Sequence, residues 1–228
     1  MPTPTADPTP TVLTLADGTT VAGLLQQPAQ ARTGFVFAHG AGAGMHHAFM
    51  AAVATGLAQR GIASLRYQFP FMQRGSKRPD PPALAQATVR AAVGHAARQW
   101  PGLPLVAGGK SYGARMTSQA DSVSPLPGVR GLAFVGFPLH PAGKPDTSRA
   151  EHLAAVRRPM LFLQGTRDEL ADLALLEPVV AALPTARLVR IEAADHAFHV
   201  PARSGRRDAE VLHELLDHLV AWIDALPG

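Results

Sequence analysis

The sequence predicts an α/β fold: a mostly parallel central sheet with an antiparallel hairpin at the N-terminal side and helices on both faces. Three observations lead there. Through most of the chain, short apolar runs alternate with longer stretches of helical period, the pattern of parallel strands joined by crossover helices. Ahead of them, two strand-like runs flank Asp17-Gly18, a hairpin signal. The 228 residues are 46% hydrophobic and only 17% charged, which supplies one substantial core and argues against disorder.

In order, residues 1–11 are rich in Pro and Thr and read as a flexible tail before one domain over 12–228. Val12–Leu15 and Thr20–Leu25 form the hairpin. Gly34–Ala38 is the first central strand and ends at His39-Gly40. Phe49, Val53 and Leu57 lie four apart on one helix face, and that helix stops at Gly61. Ile62–Tyr67 is the next strand, followed by an Arg/Pro-rich loop and a helix over Leu84–Trp100. Leu103–Ala107 is a strand and Tyr112–Ala120 a helix. Gly131–Val135 and Met160–Leu163 are strands, Leu173, Leu176, Val180 and Leu183 mark an amphipathic helix, and Leu188–Ile191 is the last strand. Leu212, Leu215, Leu216, Leu219 and Ile223 make a 3.6-period stripe on the final helix.

Composition removes several function classes. With no cysteine there is no disulfide, no thiolate nucleophile and no Cys-based zinc site. The N-terminus lacks the basic and apolar regions of a secretory signal, and no apolar run approaches the ~20 residues of a membrane span. The expectation is a soluble cytoplasmic protein without membrane attachment. The net charge is +4, but the basic residues are scattered and aromatics are only 6%, so no stripe for stacking nucleic acid is present. His46-His47 and His196-x-x-His199 have no carboxylates at ligand spacing, so no metal site is expected. No cofactor is called for, and nothing in the sequence sets an oligomeric state.

Chemistry is expected beyond the carboxyl ends of the strands, where open parallel sheets bind ligands. Gly109-Lys110-Ser111-Tyr112-Gly113 joins a strand to a helix. Such a sharp turn exposes the serine, and small neighbours let the backbone pack around it. The residues Gly109-Lys110-Ser111 also end a phosphate-binding loop, but the glycine that motif needs five residues earlier is Pro104, which has no N–H. Lys110 is then a solvated or supporting side chain. A serine hydroxyl needs a base, and the base an orienting acid. Asp168 and His196 follow later strands in the order this architecture uses, Ser then acid then His. Asp168 also fits as a cap for the following helix. Glu169 stands as the alternative acid, and His199 as the alternative base among ten histidines.

The run His39-Gly40-Ala41-Gly42-Ala43-Gly44 follows the first central strand. Its glycines permit positive φ and close approach to a ligand. The Ala41 and Tyr112 N–H groups are the candidate oxyanion donors. A dinucleotide fingerprint fails here, because its third glycine falls at Met45. His39, Gly40, Phe71, Arg74, Phe137 and His140 sit in strand-end loops and are candidate substrate contacts. Arg74, Lys77 and Arg78 offer charge to an anionic substrate or simply solvate a rim; His140 either binds substrate or caps its loop.

Taken in order, the runs Phe37–Gly44, Tyr67–Phe71, Gly109–Gly113, Phe137–Pro141, Gln164–Asp168 and Asp195-His196 resemble the α/β-hydrolase superfamily. More narrowly they resemble a bacterial branch of predicted hydrolases near the dienelactone hydrolases. That branch's relatives include the hydrolase-like subunit of the non-specific lethal chromatin complex. The resemblance spans about residues 12–227. It implies an α/β-hydrolase fold, with Ser111 as nucleophile, His196 as base and Asp168 as acid. The dienelactone hydrolases themselves carry cysteine at the elbow, where this chain has Ser111. The chain leaves little room for a lid domain. The implied activity is cleavage of an ester, thioester or related acyl bond in a small molecule through an acyl-enzyme. The alternative is an interaction module that keeps the fold without catalysis.

Overall fold

The structure is a computed structural model, and it describes residues 7–227. Eight strands form one sheet in the order β1-β2-β4-β3-β5-β6-β7-β8. They are β1 (Thr9–Thr14), β2 (Thr20–Gln26), β3 (Thr33–Ala38), β4 (Ile62–Tyr67), β5 (Leu105–Lys110), β6 (Val129–Val135), β7 (Met160–Gly165) and β8 (Ala186–Ile191). β1 pairs antiparallel with β2, and β2 antiparallel with β4; every other pair is parallel. The expected sheet and hairpin are therefore present, with Gly18 at φ 85° in the turn.

One boundary needs correction. Of the expected tail, residues 1–6 lie outside the described residues, while Thr9, Pro10 and Thr11 belong to β1, with Thr9 opposite Leu25. Composition suggested a loose segment. The strand forms because Leu13 of β1 is fully buried and draws its neighbours into register.

The helices are α1 (Ala48–Gln59), α2 (Pro70–Gln73), α3 (Pro82–Gln99), α4 (Tyr112–Val123), α5 (Leu173–Ala181) and α6 (Asp208–Asp224), with a 3₁₀ segment over Ser148–Ala155. Successive strand side chains point to opposite faces, and both faces are covered. Phe35, Phe37, Val106, Ala133, Val135, Leu161 and Leu163 pack with α1 and α6 on one face. Val36, Ala38, Ala107, Leu132, Phe134, Met160 and Phe162 pack with α3, α4 and α5 on the other. This double burial explains why the central strands read as continuous apolar runs. On α6 the stripe turns Val211, Leu215, Leu216, Leu219 and Ile223 inward. The short α2 and the 3₁₀ segment were not foreseen, since one or two turns give no detectable period.

The strand order places the site. The chain leaves β3 for β4 on one side and returns to β5 on the other, so their outgoing loops diverge and open a crevice between them. Gly40 lies on one wall of that crevice and Ser111 on the other. Among the described residues no lid domain covers it, and no helix is long and apolar enough to cross a membrane.

Candidate active site

Ser111 sits between β5 and α4 with φ 54° and ψ −116°, a conformation that L-residues rarely adopt. Its neighbours make the turn possible. A Cβ at Gly113 would fall 2.6 Å from the Ala38 and His39 carbonyl oxygens, and one at Gly109 would fall 2.7 Å from Ala38 O. The strand end and the helix start thus meet β3 backbone to backbone. The turn delivers Ser111 Oγ to 2.8 Å from His196 Nε2. The imidazole Nδ1 donates to Asp168 Oδ2 at 2.7 Å.

The Asp168 carboxylate is wholly buried. Oδ1 accepts from Leu170 N at 2.8 Å, and Oδ2 accepts from Gln164 Nε2 as well as from His196. Gln164 is fixed in turn, since its Oε1 accepts from Phe137 N at 2.9 Å. The helix-cap role falls to a different residue: Asp172 caps α5 by accepting from Ala174 N. Glu169 is exposed, and His199 bonds the exposed Asp208 at 2.8 Å. Neither alternative stands beside the serine.

The His196 loop is tightly built. Asp195 Oδ1 accepts from Ala197 N and His199 N, and Arg167 N donates to Ala194 O, which ties this loop to the one carrying Asp168. Phe198 at φ 64° anchors the far side and stacks on Phe49. Lys110 adds a third tie: its Nζ donates to His196 O at 2.6 Å and lies 5.4 Å from the Phe198 ring centre. Burial outweighs the nearby Asp168 and Asp195 and pushes the Lys110 ammonium down to about 8.

Tyr112 N lies in the first turn of α4, where N–H groups have no intrahelical acceptor. Ala41 and Tyr112 both line the cleft at Ser111. Gly40 stands close, with its Cβ position 3.6 Å from Ser111 Cβ. The positive φ expected along this loop does not occur at Gly40, Gly42 or Gly44. Gly44 instead serves close packing, because a Cβ there would meet Gln68 Oε1 at 2.6 Å.

Five expected substrate contacts are placed elsewhere. His39 is fully buried; its Nδ1 donates to Gly40 O and its Nε2 accepts from Phe69 N, so both nitrogens are used. Burial pushes its pKa down to about 4, which keeps it neutral. His140 is used the same way, donating from Nδ1 to Pro141 O and accepting at Nε2 from Asp172 N. It fastens its loop. Phe71 and Phe137 are fully buried in the core under α3 and α4. Arg74 is paired with Asp80 at 2.8 Å. The histidines' buried nitrogens take internal partners, the aromatic rings take the core, and the exposed Arg74 pairs with the buried Asp80 carboxylate.

Two depressions meet at Ser111. One, of about 380 Å³, is mostly apolar and is lined by Ala43, Phe49, Met50, Leu170 and Ala197 together with Lys110. The other, of about 350 Å³, is lined by Asp80, Tyr112, Arg115, Met116 and Arg149. Sequence reasoning missed Arg115 and Arg149. For Arg115 a signal existed, since a residue four past the serine on α4 shares its face. Arg149 lies within the unforeseen 3₁₀ segment and carried no signal.

The chain resembles several solved structures across nearly its whole length. A dienelactone hydrolase from Anabaena variabilis superposes with TM-score 0.80 at 20% identity, over 97% of this chain and 99% of that one. XC6422 from Xanthomonas campestris, described as a serine hydrolase without lid, gives 0.73 at 21%, over 98% and 97%. Est1E from Butyrivibrio proteoclasticus, solved with ferulic acid bound, gives 0.75 at 14%, over 94% and 99%. At such identities the likeness is one of fold. A sequence profile for the alpha/beta hydrolase domain matches residues 31–224. With that match covering most of the chain, the protein belongs to the alpha/beta hydrolase domain family.

Proposed function

We propose that this protein is a serine hydrolase that cleaves an ester, thioester or related acyl bond of a small molecule. One observation carries the reading: a strained, cleft-facing Ser111 hydrogen-bonded to His196, which is itself bonded to a buried carboxylate. In this reading Ser111 Oγ attacks the acyl carbon as His196 Nε2 takes its proton. Asp168 holds the imidazole with Nδ1–H inward, so that Nε2 faces the serine as a base, and stabilises the imidazolium that forms. The Tyr112 and Ala41 N–H groups receive the oxyanion, each contributing about 3–4 kcal/mol. His196 returns the proton to the leaving group, and water then attacks the acyl-enzyme by the reverse path. The lidless crevice and a depression near the small end of ligand-pocket volumes suit a short, accessible acyl chain. Similarity in fold to proteins named as esterases and serine hydrolases supports the same chemistry.

The test is intact-protein mass spectrometry after exposure to a fluorophosphonate, with Ser111→Ala as control. A single adduct on the wild type and none on the variant is expected. A folded wild type that takes no adduct overturns the reading and favours the non-catalytic interaction module.

A further inference from the structure

The second depression at Ser111 has a charge that the hydrolytic chemistry does not use. Arg115 and Arg149 both line it. Among the described residues, neither guanidinium enters an ion pair, and Arg115 Nε is buried with no hydrogen-bond partner. A half-buried guanidinium without a counter-ion is costly to hold, and the cost falls when an anion arrives. The two arginines are close enough to oppose each other: burial first, then Arg149, presses Arg115 below the usual guanidinium range. His152 lies near them and does not relieve the repulsion. Burial first, then Arg115, pushes its imidazole down to about 4.

One acid shares this wall. Asp80 is already engaged, with Oδ1 on Arg74 Nη2 and Oδ2 on Phe71 N, and its side chain is 1% exposed. It leaves the arginine pair uncompensated. It also disfavours a doubly charged group, which would lie in the same depression as its carboxylate. Position completes the case. Arg115 N donates to Ser111 O at 3.2 Å, so Arg115 lies one helical turn from the serine, in the second depression and not among the residues that line the apolar one. A planar guanidinium fork suits a carboxylate, and a partly sheltered cleft strengthens the pairing relative to water.

We propose that Arg115 and Arg149 form a carboxylate subsite, and that the substrate is a singly charged ester with its carboxylate on one side of the scissile bond and an apolar portion on the other. This rests on the serine-hydrolase reading and deepens it. Arg74, Lys77 and Arg78, the basic loop that the sequence offered for this purpose, do not line the depression.

Two matched ester pairs test it. In 4-nitrophenyl hydrogen glutarate against 4-nitrophenyl pentanoate the carboxylate is on the acyl side. In 3-carboxyphenyl butyrate against phenyl butyrate it is on the alcohol side. The charged member of at least one pair should have a kcat/KM higher by about tenfold or more. Arg115→Gln and Arg149→Gln, each checked for folding by thermal melting, should bring that ratio down towards one. Ratios near one in both pairs, or a preference that survives both substitutions, overturn the proposal. Binding separates this from a failure of the hydrolase reading. In Ser111→Ala protein, the charged member of at least one pair, monomethyl glutarate against methyl pentanoate or 3-carboxyphenyl butyrate against phenyl butyrate, should bind at least about tenfold more tightly by calorimetry, and the advantage should vanish when Arg115→Gln is added. Equal binding within both pairs overturns the subsite even if no ester is ever turned over.

Discussion

Replacing Asp168 by asparagine sets a buried hydrogen-bond network against the proposed catalysis. The carboxylate takes three donors: Leu170 N at Oδ1, and both Gln164 Nε2 and His196 Nδ1 at Oδ2. An amide has one oxygen and one NH₂. With the oxygen towards His196 and Gln164, its NH₂ meets the Leu170 N–H. With the NH₂ towards them, it meets the Gln164 amide; turning Gln164 over only moves the conflict to Phe137 N, now bonded to Gln164 Oε1. Either orientation leaves one buried donor without an acceptor, which costs about 1–3 kcal/mol of stability. The rate distinguishes the two. With the oxygen inward, His196 keeps its tautomer and loses only the charge opposite the imidazolium, a fall of about 10²-fold in kcat. With the NH₂ inward, Nε2 carries the proton and the base is gone, a fall of about 10⁴-fold. The assays are urea unfolding and kcat on an activated ester, normalised to fluorophosphonate-reactive sites. Unchanged stability refutes the network argument. A rate within about threefold of wild type refutes the orienting role of Asp168.

Three further outcomes follow from single sites. Gly113→Ala places a Cβ 2.6 Å from two backbone oxygens, so it should destabilise by about 1–3 kcal/mol or prevent folding, whereas Gly42→Ala, with nothing within 4 Å, should stay within about 0.5 kcal/mol; urea midpoints read both. His39 is held neutral, its pKa lowered from 6.5 to about 4. The unfolded chain therefore binds the extra proton between those values. Stability is complete above pH 6.5 and declines as pH falls towards 4, by ~3 kcal/mol for this one group. His39→Gln should flatten that slope, and an unchanged slope would exclude His39 as its source. Lys110 works in the alkaline range: its pKa falls from 10.5 to about 8, so burial of its charge destabilises the fold below pH 8 and the penalty is relieved towards pH 10.5. Lys110→Met should remove this rise in stability, followed by unfolding at a series of pH values.

Much of the fold was legible because its signals are local. A strand buried on both faces needs an unbroken apolar run, and Phe35–Ala38, Leu132–Val135 and Met160–Leu163 supply it. The elbow was legible for the same reason: Gly109 and Gly113 bracket Ser111 because any side chain there would strike β3. Sequence order alone lined up Ser111, Asp168 and His196 beyond the ends of β5, β7 and β8. What failed was the direction of loop side chains. His39 answers to a backbone N–H thirty residues later, and His140 to one thirty-two residues later. No period within a loop encodes such partners.

The sequence by itself therefore determined the alternation of strands and helices, the strained turn at Ser111 and the order of the polar residues behind it. These depend on contacts between near neighbours and on hydrophobic period. The tertiary structure decided which side chains reach the crevice. It turned His39, Phe71, Phe137 and His140 inward, tied Arg74 to Asp80, and left Arg115 and Arg149 beside the serine. Burial and charge pairing are settled between segments far apart in the chain, once the sheet has brought them together.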